Sequence, residues 1–137
     1  MAVYDITEQQ RKPTLQHGKL VIARGYAHFE RTPLQVGDSL NVIEIPPGAK
    51  VVSAFMRVIE PNESNDASAS LGDTTTQDLW ADAGDLTPGV KGGKWVQKAY
   101  PTGDAVVIYC QDSGTPTPIT SGSVEVMAFM IPIEEGM

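Results

Sequence analysis

Cysteine and histidine are scarce in this sequence, and their scarcity excludes several kinds of site. Among 137 residues there are one cysteine, Cys110, and two histidines, His17 and His28. A single cysteine excludes an internal disulfide, and these three scattered residues do not provide the clustered ligands of a zinc site. Cys110 ends the apolar run 105–110, which predicts a buried, unreactive thiol. Neither histidine falls in a catalytic motif, so both are predicted to be surface or structural residues.

Long hydrophobic runs are also absent. No stretch approaches the roughly 20 apolar residues that span a bilayer. Residues 1–16 lack the basic start, apolar middle and small-residue cleavage site of a secretion signal. The sequence therefore predicts no membrane partner, and a protein that stays in the cytoplasm where it is made or leaves it inside something else.

Basic residues are few in the second half of the chain. The net charge is −7, with +1 in residues 1–60 (seven bases, six acids) and −8 in residues 61–137 (three bases, eleven acids). Residues 61–86 contain six carboxylates and no base. Binding to a phosphate backbone depends on Lys and Arg that release counterions, so this charge distribution predicts no nucleic-acid partner.

What the sequence does contain is alternation of apolar and polar residues with a period of two, which predicts strands. Turn signals rich in Gly and Pro separate the alternating segments at the spacing typical of a sandwich. The predicted strands are residues 20–29, 39–45, 50–60, 68–71, 94–98, 105–111 and 123–133. Only Thr75 to Ala83 could form a helix, of about two turns. The predicted fold class is all-β, an antiparallel β-sandwich.

In two of the predicted strands, the alternation shows which side chains share an apolar face. In the strand 50–60, one face carries Val52, Ala54, Met56 and Val58. In the strand 123–133, the inward face is predicted to carry Val124, Val126, Ala128 and Met130. The opposite face of this last strand begins at Glu125 and continues with Met127, Phe129, Ile131 and Ile133. That face is too apolar for open water, which predicts burial against a second subunit.

The first eighteen residues differ from the rest. The segment Asp5 to Gly18 is mostly polar, with Pro13 in its middle and only Ile6 and Leu15 as large apolar residues. Such a segment buries too little surface to offset its own ordering entropy. It is therefore interpreted either as a frayed terminus or as an arm that folds onto a neighbour. The predicted division is an N-terminal arm, residues 1–18, and a sandwich domain, residues 19–137.

The sequence offers no catalytic, cofactor-binding or metal-binding residue, and the protein is predicted not to be an enzyme. The segment 89–94 lacks the spacing of a phosphate-binding loop and is predicted to be a hairpin loop. The carboxylates Asp73, Asp78, Asp82 and Asp85 could in principle hold calcium. They do not follow the calcium-loop pattern, and a solvated acidic loop is the preferred interpretation. Trp80, Trp95 and Tyr100 could stack on a sugar, but such aromatics more often fill a core or its rim.

Two short stretches carry a resemblance to a known group of proteins. The first is Ile45-Pro46-Pro47-Gly48-Ala49, followed by an alternating strand. The second is Ala69-Ser70-Leu71-Gly72-Asp73, followed by Asp78-Leu79-Trp80. This layout resembles small jelly-roll-type structural proteins of tailed bacteriophages, especially capsid decoration (cement) proteins. The similar part covers residues 39–83.

The resemblance implies a virion protein on the capsid surface, assembled in the host bacterial cytoplasm. It implies a jelly-roll-like sandwich, the major capsid protein as partner, and self-association as a homotrimer, with no cofactor. The two-faced last strand and the polar arm are compatible with that role. Two alternatives stay open: a phage tail or fibre component, and a carbohydrate-binding β-sandwich module that would use Trp80 or Trp95.

Overall fold

The chain folds into strands throughout the part that the structure describes. A computed structural model describes residues 2–16, 18–62, 67–85, 89–111 and 117–133. Within these ranges there are ten strands, one 3-10 turn at Thr7–Gln9 and no α-helix. The strands are β1 (Val3–Asp5), β2 (Val21–His28), β3 (Ser39–Ile45), β4 (Ala49–Glu60), β5 (Ser68–Gly72), β6 (Ala81–Asp85), β7 (Gly89–Gly92), β8 (Lys98–Tyr100), β9 (Asp104–Gln111) and β10 (Ser123–Pro132).

These strands form two sheets that pack against each other. The first sheet has the order β1-β3-β9-β5-β6, and the second has the order β2-β10-β4-β7, with β8 also paired to β4. All pairs are antiparallel except β1 with β3, which is parallel. The chain passes repeatedly from one sheet to the other, and this strand order is jelly-roll-like. The prediction of an all-β sandwich is confirmed.

The core lies between the sheets and follows the predicted alternation of β10. Val124, Val126, Ala128 and Met130 are all buried there. In β4, Ala54, Met56 and Val58 are buried as predicted, but the assignment of Val52 to the same face is wrong.

A shift in the pairing of β4 with β10 explains that error. Ser53 lies opposite Phe129, whereas Val51 lies opposite Met130, so the register changes by one residue. An extra residue in one strand reverses the alternation on one side of it. Val51 therefore enters the core, and Val52 is only half-buried.

The predicted helix between Thr75 and Ala83 is not formed. The carboxylate of Asp73 accepts hydrogen bonds from the backbone N–H groups of Thr75 and Thr76, at 2.9 and 2.7 Å. These bonds satisfy local N–H groups in a turn, which competes with a helix. The chain then enters β6, which pairs with β5.

Two other assignments in this region also need correction. The segment predicted as a hairpin loop, 89–94, contains strand β7, which pairs with β4 from Phe55 to Val58. The strand predicted at 94–98 lies further along the chain, as β8 at Lys98–Tyr100. Both strands are short and polar or glycine-rich, so their sequence carries little alternation.

The start of the polar N-terminal segment pairs with the first sheet of its own chain. The backbone N–H of Ala2 donates to the carboxylate of Asp38 at 2.8 Å, and β1 extends alongside β3. Ile6 is buried in the core, and Leu15 packs against it from its edge. Residues 2–6 are thus integrated into the sandwich. The division at residue 18 and contact of residues 11–16 with a neighbour stay predictions.

Candidate interaction surfaces

One buried carboxylate, Asp73, organises the loop between β5 and β6. Its side chain is fully buried and accepts hydrogen bonds from the Lys98 ammonium at 2.6 Å and the Tyr100 hydroxyl at 2.7 Å. The backbone N–H groups of Thr75 and Thr76 and the Thr75 hydroxyl also donate to this carboxylate. The hydrogen bonds of this cluster hold the loop together and attach it to β8, so the role of Asp73 is structural.

The electrostatics of this cluster follow from that geometry. Burial alone would raise the pKa of Asp73, but the hydrogen bonds from Lys98, Tyr100 and the loop N–H groups outweigh it, and the pKa lies well below its ordinary value. Burial, reinforced by the neighbouring Asp73 carboxylate, raises the pKa of Tyr100. Asp73 is therefore a permanent anion at neutral pH, already neutralised by Lys98.

Of the four carboxylates considered for calcium, the three whose side chains the structure describes do not come together as a site. Asp82 pairs with Lys94 at 2.7 Å and its side chain is 68% exposed. Asp78 is exposed, and the side chain of Asp85 is outside the described part of the chain. Across the described residues no group of three or more acidic, His or Cys side chains could hold a metal ion. The expected solvated loop fits Asp78 and Asp82 and is wrong for Asp73.

The three aromatic residues considered for sugar stacking also lie apart. Trp80 is fully buried, and its indole N–H donates to the backbone oxygen of Val96 at 3.1 Å. Tyr100 is buried with its hydroxyl on Asp73. Only Trp95 is available to a partner, with 78% of its surface exposed. Trp80 therefore belongs to the core, as the preferred interpretation held.

The other side chains considered for reactivity are the cysteine and the two histidines. Cys110 is buried, and its Sγ lies 3.6 Å from the backbone oxygen of Thr117. Burial raises the pKa of this thiol, which keeps it protonated and unreactive. His28 is exposed at the end of β2, and His17 lies outside the described residues. No helix in the described part of the chain is long and apolar enough to cross a membrane.

The outer side of the second sheet carries a group of exposed and half-buried apolar side chains. Strands β2, β10 and β4 place Ile22, Phe129 and neighbouring residues side by side, because Phe129 pairs with Ile22 and Met127 pairs with both Arg24 and Phe55. The apolar members, here called the outer apolar face, are Ile22, Tyr26, Phe55, Ile59, Met127 and Phe129. This is the second face of β10 that the sequence marked as too apolar for water.

Three side chains of the outer apolar face are exposed to solvent in the single chain. Ile22, Tyr26 and Ile59 are 48%, 44% and 45% exposed. The rings of Phe55 and Phe129 pack in a tilted arrangement at a centroid distance of 5.7 Å, and both residues are half-buried. Contiguous apolar surface rimmed by polar residues is a mark of protein contact sites.

A charged network crosses this face beside the apolar residues. Glu125 is buried within the face and accepts a hydrogen bond from Arg57 Nη2 at 3.2 Å. The hydrogen bond from Tyr26 and the charge of Arg57 lower the pKa of Glu125 against the opposing effect of burial. Sequence reasoning missed this network, although Glu125 was visible as the one charge in an otherwise apolar strand.

Comparison with known proteins gives matches in structure alone. No protein-family model matches the sequence, and no curated protein matches it either. A chain from the capsid of Ralstonia phage GP4 superposes with a TM-score of 0.71 at 12% identity, covering 95% of this chain and 97% of that one. A chain of the cyanophage Pam1 capsid asymmetric unit gives 0.58 at 19% identity, covering 91% and 96%.

A third phage capsid contains a similar chain. In the acid-stable capsid structure of Helicobacter pylori bacteriophage KHP30, a chain matches with a TM-score of 0.56 at 17% identity, covering 88% of this chain and 94% of that one. In each case nearly the whole of both chains is aligned, so the likeness is one of complete domains. At these identities the likeness concerns the fold: this chain has a β-sandwich fold that also occurs in phage capsid structures.

Proposed function

We propose that this protein is a structural component of a bacteriophage virion that binds the outside of the capsid shell and stabilises it, as a decoration or cement protein without catalytic activity. The observation that carries the proposal is the end-to-end match with chains from three phage capsids, in which almost nothing of either chain is left over. The partner is the major capsid protein, and the site of action is the capsid surface of the virion.

The outer apolar face supports a role in contact with other protein surfaces. Ile22 and Ile59 are exposed near its two sides, and Arg57 and Tyr26 provide polar groups within it, on either side of Glu125. Repetition of a modest interface by symmetry gives a stable assembly even where each contact is weak. We propose that this face meets either the capsid protein or a second copy of the chain in a homotrimer.

The charge of the chain supports the outside of the shell over its DNA-filled interior. A net charge of −7, concentrated in residues 61–137, opposes binding to a polyanion. The proposal therefore includes neither nucleic acid nor a membrane as partner, and places assembly in the host bacterial cytoplasm.

The experiment that tests this function compares phage particles with and without the protein. Particles made without it are expected to form and to package DNA, but to release that DNA at a lower temperature than wild-type particles. Adding the purified protein back is expected to restore the release temperature. Failure of the purified protein to bind particles that lack it would contradict the proposal.

Matched variants link the result to the outer apolar face. Ile22→Glu and Ile59→Glu place charges on this face and are expected to abolish binding of the purified protein to particles that lack it. Val3→Glu places the same charge on an exposed residue of β1, in the other sheet, and is expected to leave this binding intact. Equal loss of binding in all three variants would show that the face has no special role.

A second function, as a tail or fibre component or a carbohydrate-binding module, is favoured by one observation, the exposure of Trp95. An isolated exposed indole can stack on a sugar ring or anchor a protein contact. The test is binding to a glycan array. Binding that is lost in Trp95→Ala would favour this function, and the Trp80→Ala variant is uninformative because Trp80 is buried.

A further inference from the structure

The free edge of strand β2 is only partly covered. In the second sheet β2 lies at the end and pairs with β10 alone. On its other side the Gln10 side chain bonds to the main chain of Tyr26: Oε1 accepts from the Tyr26 N–H at 3.0 Å, and Nε2 donates to the Tyr26 oxygen at 2.9 Å. This amide occupies the place of a residue in a neighbouring strand.

The next main-chain groups along this edge face the same way. In an antiparallel pair, successive residues direct their N–H and C=O groups alternately toward the partner strand and away from it. Because the groups of Tyr26 face away from β10 and the pairing has no register shift, those of Arg24 and Ile22 do so as well. No backbone or side-chain group within the described ranges bonds to Arg24 or Ile22 on that side.

A groove lies beside these unpaired groups. Residues 11–16 pass along the edge without bonding to it, and they enclose with residues 19–24 a cavity of about 470 Å³. The cavity is therefore bounded by a free strand edge on one side and by an extended polar segment on the other.

The groove is basic in a chain that is strongly acidic. Arg11, Lys19 and Arg24 line it, are exposed, and form no ion pair with any described residue. Lys12 also lines it but pairs with Glu8 at 3.6 Å and with Glu44 at 3.7 Å. The charge of Arg24 also acts on Glu125 and helps to lower its pKa, but it forms no ion pair with that carboxylate. Three cations without an ion pair among the described residues, beside unpaired N–H and C=O groups, favour a ligand that is both anionic and able to bond as a strand.

We propose that this groove binds an extended acidic segment of another protein chain, which adds to the second sheet as a strand beside β2. Main-chain hydrogen bonds to Ile22 and Arg24 hold the segment, and its carboxylates pair with Arg11, Lys19 and Arg24. A nucleic acid fits less well, because it cannot match alternating N–H and C=O groups and is repelled by the net charge of −7. The proposal does not depend on the virion role.

The test uses a blocked synthetic peptide, acetyl-Thr-Glu-Val-Asp-Val-Glu-Thr-amide, with the full-length protein labelled with nitrogen-15. Titration at low salt is expected to give saturable shifts of the Ile22 and Arg24 amide signals. The double variant Lys19→Gln/Arg24→Gln is expected to raise the Kd at least about tenfold, a loss of about 1.4 kcal/mol. The control Arg31→Gln, on an exposed residue just beyond β2, is expected to leave the Kd unchanged.

Three probes distinguish strand addition from other modes of binding. A peptide with Gln and Asn in place of Glu and Asp is expected to bind at least about tenfold more weakly. A peptide N-methylated at alternate positions keeps its charge but loses the main-chain bonds, and is expected not to bind. Equal binding of the N-methylated peptide, tighter binding of a thymidine oligonucleotide, or no binding of the acidic peptide would each overturn the proposal.

Discussion

At the scale of single residues, the protein depends on a few polar groups that are buried among apolar ones. Asp73 is the clearest case, because one carboxylate joins the loop after β5 to Lys98 and Tyr100. The sequence showed it only as one of several acidic residues in a polar segment. What distinguishes it from Asp82 is its partners, which come from 25 and 27 residues further along the chain and could not be predicted from local pattern.

Replacement of Asp73 is expected to be costly. Asp73→Asn removes the charge that balances Lys98 and replaces one of the two accepting oxygens with an NH2 group, which cannot accept the hydrogen bonds made there, and is expected to lower the free energy of unfolding by about 3 kcal/mol. Asp82→Asn removes an exposed partner of Lys94 and is expected to cost less than about 1 kcal/mol. Urea denaturation of both variants measures the difference. Equal costs would contradict the structural role of Asp73.

The same carboxylate predicts a dependence of stability on pH. The pKa of Asp73 in the folded protein is below its ordinary value of 3.8, so its contribution to stability is complete above about pH 4 and is lost as the pH falls toward the folded pKa. The gap in unfolding free energy between wild type and Asp73→Asn is therefore expected to shrink as the pH is lowered below about 4. A gap that is constant from neutral to acid pH would contradict this assignment.

The two tryptophans are expected to respond in opposite ways. Trp80→Ala removes a fully buried ring and its hydrogen bond to Val96, and is expected to destabilise the fold by about 3–5 kcal/mol. Trp95→Ala removes an exposed ring and is expected to change stability by less than about 0.5 kcal/mol. Thermal or chemical unfolding measures both effects. A large loss of stability in Trp95→Ala would show that Trp95 packs in the fold.

At the scale of elements, the sequence predicted the long strands well and the short ones poorly. Strand β3 has the predicted bounds, and β4, β9 and β10 differ from prediction by one residue at an end. Each contains enough alternating residues for a period of two to be visible. Strands β1 and β7 have three and four residues at sheet edges, where pairing with a neighbour rather than local pattern defines the strand.

The attachment of the N-terminal segment is testable at this scale. Ile6 is buried beside β3, with its N–H bonded to the backbone oxygen of Asn41 at 3.0 Å. Ile6→Ala is expected to cost about 2–4 kcal/mol, whereas Val3→Ala, in exposed β1, is expected to cost less than about 1 kcal/mol. The measurement is the urea midpoint of each variant. A negligible effect of Ile6→Ala would return this segment to the status of a frayed terminus.

At the scale of the whole molecule, the two candidate surfaces differ in how far sequence could predict them. The outer apolar face was visible in part, because Met127 and Phe129 alternate with core residues along one strand. The basic groove was not visible, since it forms only where residues 11–16 run back along β2. Both surfaces involve β2, so the edge and the outer face of one sheet provide adjacent places for contact with other chains.

The central claim, that this chain is a shell component of a phage particle, is tested most directly by its copy number in purified virions. Quantitative mass spectrometry against the major capsid protein of the same particles measures it. A protein that covers the shell under icosahedral symmetry is expected to be present at on the order of one copy per capsid protein subunit. Its absence from the particles, or its presence in only the few copies that a tail or fibre holds, would contradict the account.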